Sequence, residues 1–232
     1  MALTDEAINR IKEMIVSGEL RPGDRLPKEG DLAARLGLSR NSLREAVRAL
    51  SLIRVLDVRQ GDGTYVTSLR PELLLAAVTF VVDFHRDESV LHLLEVRRIL
   101  EPAATAMAAR AMSDDDIAAL CVPLDAFDQV ASRAETGASD AAALMAADLE
   151  FHRRIAAGCG NPALASLVDS LSAPTVRARI WRGLTQQDAI ARTIDQHTAI
   201  YRALVAREPE VARAWATVHV ADVEEWLRRA RP

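Results

Sequence analysis

Apolar residues recur at helical spacing through the first fifty residues of the chain. This periodicity predicts three helices, over residues 3–17, 29–36 and 40–52. Gly37 follows the second helix, where a glycine commonly ends one. Ser39 stands just before the third helix, where its hydroxyl can accept from a free backbone N–H and cap the helix. The pattern therefore predicts an N-terminal helix followed by a short helix–turn–helix unit.

A hairpin follows these helices. Residues 55–59 and 64–66 are rich in β-type side chains and surround the glycine-containing turn 60–63. Three helices followed by a two-stranded wing, in this order, predict a winged helix-turn-helix. We expect this DNA-binding domain to occupy residues 1–68.

The rest of the chain carries helical patterns and no strand signal. Short breaks at glycine, proline, aspartate and serine divide it into segments. We expect helices over residues 71–85, 89–111, 114–134, 139–158, 161–182, 186–206 and 208–230. About seven helices joined by short loops predict an antiparallel bundle over residues 69–232, so the fold class is mainly α.

Composition supports this fold and limits the cellular compartments in which the protein is expected. Hydrophobic residues make up 50% of the chain but aromatic residues only 4%, which favours packed helices over β-sandwiches. No apolar run is long enough to span a bilayer, and the N-terminus lacks the pattern of a secretory signal. Cys121 and Cys159 lie far apart, which argues against a disulfide framework or a thiolate zinc site. We expect a cytoplasmic protein without a membrane partner.

Charge is unevenly distributed along the chain. The whole protein has a formal net charge of −4, but residues 1–66 hold 11 basic against 10 acidic side chains. The window 35–59 holds six arginines against two acidic residues, a balance of +4. A basic patch on an acidic protein is typical of a small DNA-binding module joined to a larger body, although a solvated helix face has the same charge.

The third helix carries side chains suited to reading DNA. Arg40 can donate two hydrogen bonds to guanine, and Asn41 can pair with adenine in the same way. Ser39 and the helix N-terminus suit phosphate oxygens, and Arg44 is one turn further along, within reach of a base or a phosphate. Gly61, at the tip of the wing, allows close approach of the backbone to DNA. Solvated arginines on a structural three-helix unit are the alternative.

Four residues of the predicted bundle form a possible metal site. Asp148 and His152 are four residues apart and therefore share a helix face. His197 and His219 lie on two later helices, so three helices can bring these groups together. One carboxylate and three imidazoles suit Zn, Ni or Mn and leave coordination positions open for a ligand. Polar helix residues without a metal are the alternative.

An enzyme is the rival interpretation of this metal-ligand set. A metal-dependent hydrolase carrying a DNA-binding domain could activate water at such a site. The chain contains no HExxH motif, nucleophile elbow or glycine-rich phosphate loop, which disfavours this interpretation.

The N-terminal motifs resemble a known family. The run LRPGDRLPKEGDLAARLGLSRNSLREAVRAL and the later VRQGDGTYV look like the DNA-binding domain of the GntR family of bacterial transcription regulators, over residues 3–67. The resemblance places Ser39, Arg40, Asn41, Arg44 and Gly61 at DNA-contacting positions.

Two positions depart from the pattern of that family. Gly30 stands where the family usually has an arginine, so one DNA contact is lost or is taken over by Lys28 or Arg35. Arg54 stands where a small residue, often glycine, is usual. An arginine held there in the left-handed conformation costs roughly 1 kcal/mol, unless the turn is built differently.

The later motifs resemble the FCD ligand-binding domain of the FadR subfamily. LLEVRRILEPAATAMAARA, DLEFHRRIAAGCGNPAL and DQHTAIYRALVARE carry the resemblance over about residues 70–230. In metal-binding members a D-x-x-x-H pair and two later histidines hold a divalent metal ion, and these positions match Asp148, His152, His197 and His219. Arg97 falls at a pocket arginine of the family, although an ion pair with Glu101 is the alternative.

The resemblance implies a ligand-responsive regulator, expected to act as a repressor. Such a protein binds a palindromic double-stranded DNA operator as a homodimer and senses a small carboxylic acid effector beside its metal ion. The sequence identifies neither the effector nor the operator, and it leaves open whether the effector releases or promotes DNA binding.

Overall fold

The computed structural model describes residues 3–70, 89–131, 138–185 and 189–230. The chain divides into two compact units, Met1–Ala77 and Val78–Pro232. The predicted helix over 71–85 lies outside the described residues. The domain boundary expected after residue 68 stays a prediction.

The N-terminal unit is a three-helix cluster with a two-stranded wing. In chain order its elements are α1 (Leu3–Val16), α2 (Glu29–Leu36), α3 (Arg40–Leu52), β1 (Leu56–Arg59) and β2 (Gly63–Val66). The strands pair antiparallel, with Leu56 opposite Val66 and Arg59 opposite Gly63. The predicted winged helix-turn-helix is confirmed.

An apolar core holds this unit together. Ile11 of α1, Leu32 of α2, Leu43 of α3 and Leu56 and Val66 of the wing are all buried in one cluster. Apolar residues at helical spacing on each helix therefore face the same interior, which leaves the opposite face of α3 to its polar side chains.

The C-terminal unit is helical throughout its described part. Its elements are α4 (Ser89–Ala111), α5 (Asp114–Ala118), α6 (Cys121–Ala131), α7 (Ala138–Ala157), α8 (Pro162–Thr185), α9 (Ala189–Val205) and α10 (Pro209–Ala230). Helix α4 packs against α8 and α10, α7 packs against α6 and α8, and α9 packs against α10. The largest apolar cluster of this unit takes buried side chains from α4, α5, α7, α8, α9 and α10. None of them combines the length and apolar content needed to cross a bilayer.

The predicted helix over 114–134 is wrong in one respect, because the chain forms two helices there. Ser113 caps α5 by accepting from the backbone N–H of Asp116. A new helix, α6, starts at Cys121, so that Pro123 lies in its first turn. A proline there loses nothing, because the first N–H groups of a helix have no partner within it. In one continuous helix Pro123 would lie in the interior and remove a hydrogen bond.

Candidate DNA-binding surface and candidate metal centre

The first turn of α3 has the features of a helix-turn-helix recognition helix. Ser39 has extended backbone angles and accepts a 3.0 Å hydrogen bond from the N–H of Ser42, so it is the N-cap. Leu43 faces the core, whereas Arg40, Asn41 and Arg44 are exposed. The predicted DNA-contacting side chains of this helix are therefore accessible to a duplex.

Helix α2 contacts two of the arginines on the exposed face of α3, Arg40 and Arg44. Nε and Nη2 of Arg44 lie 3.3 and 3.2 Å from a carboxylate oxygen of Glu29. The guanidinium of Arg40 lies over Gly30, where an added Cβ would be 3.3 Å from its Nη2 atom. The glycine that departs from the family pattern therefore leaves room for the side chain of Arg40.

The wing is fixed to the segment before α2. The guanidinium of Arg25 donates to the carbonyl of Asp62, and its Nε would lie 2.5 Å from a Cβ added at Gly63. Gly61 is exposed at the tip and has φ 77°, in the left-handed region that favours glycine. Gly61 is thus placed where its backbone can approach a duplex closely.

Arg54 adopts the left-handed conformation that its position requires. Its φ is 59°, and the following N–H, of Val55, bonds to the carbonyl of Leu50. The usual turn is kept, and the strain expected for a residue with a Cβ is present.

The four predicted metal ligands meet inside the C-terminal unit. Asp148 and His152 come from α7, His197 from α9 and His219 from α10, and all four side chains are buried. One ligand atom of each lies within 4.8 Å of the others. Oδ1 of Asp148 is 3.7 Å from Nε2 of His152 and 3.8 Å from Nε2 of His197.

The ring of His152 is held in place from α4. Its Nδ1 lies 2.6 Å from Oε1 of Glu101. The other oxygen of Glu101 accepts from Arg97, at 2.9 Å from Nε and 2.5 Å from Nη2, and Nη1 of Arg97 donates to Thr175 at 2.7 Å. The ion pair considered as the alternative role of Arg97 is therefore present, and its role in effector binding stays a prediction.

Burial and charge act against each other in this cluster. Burial raises the pKa of Glu101, but Arg97 and His152 outweigh it and hold that pKa well below its ordinary value. Burial opposes the charged form of His152, yet Glu101 and Asp148 raise its pKa. Burial and the neighbouring imidazoles of His197 and His152 lower the pKa of His219 well below its ordinary value. Because the pKa of His152 is raised, protons compete with a metal ion for this ring.

The ring of His219 is held by a second set of side chains. Its Nδ1 lies 2.9 Å from Oε1 of Gln196, and Nε2 of Gln196 lies 3.2 Å from Oδ2 of Asp222. The same oxygen of Asp222 accepts from the buried guanidinium of Arg182. A chain of hydrogen bonds therefore runs from α8 through α10 and α9 to His219.

The donor set fits a divalent metal ion. Nε2 of His152 and Nε2 of His219 are buried and have no hydrogen-bond partner within the described part of the chain. Buried polar atoms are normally satisfied, so two imidazole nitrogens left in this state beside a carboxylate suggest a ligand between them. Three imidazoles and a carboxylate suit Zn, Ni or Mn, as expected from the sequence.

The sequence did not identify the residues that hold these ligands. Gln196, Asp222, Arg182 and Thr175 lie on helices distant in sequence from their partners, so no local spacing marks them. Glu101 was recognised only as a possible partner of Arg97, four residues earlier.

Comparisons with known proteins identify a family for each of the two units. Residues 92–222 match the FCD domain family. Residues 3–66 match the family described as bacterial regulatory proteins, gntR family.

Individual relatives cover nearly the whole chain. The HTH-type transcriptional regulator LutR of Bacillus subtilis strain 168 is 30% identical over 219 residues, which is 92% of this chain and 96% of that protein. The galactonate operon transcriptional repressor of Escherichia coli K12 is 26% identical over 230 residues, or 97% and 96% of the two chains. Among solved structures, Streptococcus agalactiae GntR superposes with a TM-score of 0.69 at 25% identity, covering 96% and 99%. These relatives are regulators rather than enzymes, so the metal-dependent hydrolase is set aside.

Proposed function

The chain belongs to the GntR family of bacterial transcription regulators and carries an FCD domain, and from this premise we propose a more specific function. It is a ligand-responsive repressor that binds a palindromic operator as a homodimer. A small carboxylic acid, bound at a metal ion in the C-terminal unit, changes its affinity for DNA. Because its target is the bacterial chromosome, the protein acts in the cytoplasm.

The exposed first turn of α3 is the observation that carries this proposal. Arg40 and Asn41 project from a helix start whose backbone N–H groups favour phosphate, beside a glycine-tipped wing. In a helix-turn-helix the N-terminal residues of the second helix contact base edges in the major groove. The side chains at that place here are the types that pair with guanine and adenine.

A homodimer matches the symmetry of a palindromic operator. In the C-terminal unit, Val211, Trp215 and Val218 lie along one stripe of α10, and each is at least 40% exposed. A stripe of apolar side chains at i, i+4 and i+7 is suited to packing against another helix. We assign this stripe to the second copy of the chain.

The buried cluster supports the sensing half of the proposal. Asp148, His152, His197 and His219 would hold the metal ion and leave positions for a carboxylate. Arg97, already bonded to Glu101 and Thr175, lies beside the cluster, and a guanidinium is a good carboxylate partner. The effector can alter DNA binding only by favouring one of two states of the protein over the other.

Selection from a pool of random-sequence duplexes tests the DNA-binding assignment. The wild-type protein should enrich a palindromic site, and Arg40→Ala should lose preference at one base position of each half-site while remaining folded. Losing a bidentate arginine–guanine contact costs about 1–3 kcal/mol of discrimination. Arg10→Ala, at an exposed position of α1, is the matched control. Wild-type sequence preference in Arg40→Ala would refute the role of Arg40.

A further inference from the structure

We infer that Asp222, together with Arg182 and Gln196, is a positioning residue that fixes the tautomer of His219 so that its Nε2 atom can bind a metal ion. The inference rests on the metal site of the proposed function. It concerns side chains that do not touch the ion themselves.

The orientation of the Gln196 amide is determined by Asp222. A carboxylate oxygen can only accept hydrogen bonds, and Oδ2 of Asp222 accepts from the guanidinium of Arg182. The side-chain nitrogen of Gln196, 3.2 Å from the same oxygen, must therefore be the donor. An amide with its nitrogen fixed on Asp222 presents its oxygen, an acceptor, to His219.

The proton on His219 is located by the same logic. Oε1 of Gln196 lies 2.9 Å from Nδ1 of His219, and an amide oxygen has no proton to donate. Nδ1 must carry the proton, which leaves the lone pair of a neutral imidazole on Nε2. That atom is buried, lacks a hydrogen-bond partner within the described residues and belongs to the four-residue cluster.

An asparagine at position 222 has one acceptor oxygen instead of two and no charge, so it holds the Gln196 amide less firmly and allows it to rotate. A rotated amide would present its nitrogen to Nδ1 of His219, which favours the tautomer with the proton on Nε2. An imidazole in that form cannot bind a metal ion through Nε2 until the proton moves. Groups that orient a metal-bound histidine typically contribute 10–100-fold to metal affinity.

The tautomer can be read without any metal ion. We would record long-range proton–nitrogen correlation spectra of histidine-labelled, metal-free protein at a pH above the usual pKa of histidine. The signals of His219 are assigned as those that are missing from the spectrum of His219→Gln. The wild type should show only the form protonated on Nδ1, and Asp222→Asn should show the Nε2-protonated form as well. Asp128→Asn, the same charge change at an exposed position of α6, should match the wild type.

Exchanging the carboxylate and the amide between positions 196 and 222 should restore the tautomer of His219. The double variant Gln196→Glu/Asp222→Asn moves the carboxylate next to His219, where it can only accept from Nδ1, and leaves an amide to bridge it to Arg182. The double variant should restore the wild-type tautomer. In competition with a chelator, Asp222→Asn should bind Zn²⁺ about 10–100-fold more weakly than the wild type, and the double variant should recover most of that loss.

Each result separates the inference from the proposed function. A wild-type tautomer and wild-type Zn²⁺ affinity in Asp222→Asn would overturn the inference, as would a wild type protonated on Nε2. If the wild type binds no Zn²⁺, the metal site of the proposed function is wrong, and the tautomer measurement still decides the role of Asp222. If Asp222→Asn does not fold, Gln196→Met, which keeps the Arg182–Asp222 pair, decides by the same two measurements.

Discussion

At the scale of single residues, the candidate metal site depends on donor atoms that are buried on different helices. His152 and His197 are both at most 4% exposed and come from different helices, so water cannot replace either as a ligand without opening the interior. His197 also stacks on the ring of Phe151 at a centroid distance of 4.4 Å. The two histidines are thus held by different contacts while facing the same carboxylate.

Removing either histidine should remove the metal. We expect His152→Ala and His197→Ala each to hold less than stoichiometric Zn²⁺, because each variant removes one of the four buried donors. Elemental analysis after dialysis measures this directly. His92→Ala, at an exposed position of α4, should retain the metal content of the wild type. Full occupancy in both ligand variants would exclude this ligand set.

The residues of the site differ in how far the sequence predicted them. Asp148 and His152 share a helix turn, so their spacing alone places them together. His197 and His219 lie on two later helices, so the residues alone made them possible ligands, and the family resemblance strengthened that prediction. Asp222 was not predicted, because its role depends on a contact across helices.

At the scale of elements, capping decides where the DNA-reading helix begins. The predicted ranges 29–36 and 40–52 agree with α2 and α3 because Gly37, with φ 68°, ends one helix and Ser39 caps the next. The division between α5 and α6 was missed because apolar periodicity continues through Pro123. Periodicity reports the buried face, whereas the end of a helix depends on single residues.

Ser39→Ala should weaken the first turn of α3 and, with it, DNA binding. Losing an N-cap costs about 1 kcal/mol, so the amide protons of Ser42 and Leu43 should exchange faster. Affinity for the selected duplex should fall, because the exposed turn that bears Arg40 and Asn41 frays. Ser113→Ala removes the equivalent cap of α5 in the C-terminal unit and is the matched control. If both variants lose DNA affinity equally, the effect does not come from α3.

At the scale of the whole molecule, the proposed DNA-binding surface and the proposed sensing site fall in different units. The net charge of −4 conceals a basic window in the N-terminal unit, and the candidate metal centre lies entirely in the C-terminal unit. The sequence predicted this division, because charge and periodicity both change along the chain. The sequence cannot give the energy that couples the two sites, since that is a difference between two states of the same molecule.

The proposed coupling must be reciprocal. If an organic acid that raises the melting temperature of the metal-loaded protein changes its affinity for the selected duplex by some factor, the duplex must change the affinity for the acid by the same factor. Allosteric coupling typically changes affinity by a factor of about 5–150. Calorimetric titration of the acid with and without duplex, and of the duplex with and without acid, measures both factors.

Chelator-treated protein should show neither acid binding nor coupling, because the carboxylate then lacks its metal ion. An acid that binds equally well after chelation would show that no metal ion holds the effector, which would contradict the proposed sensing mechanism.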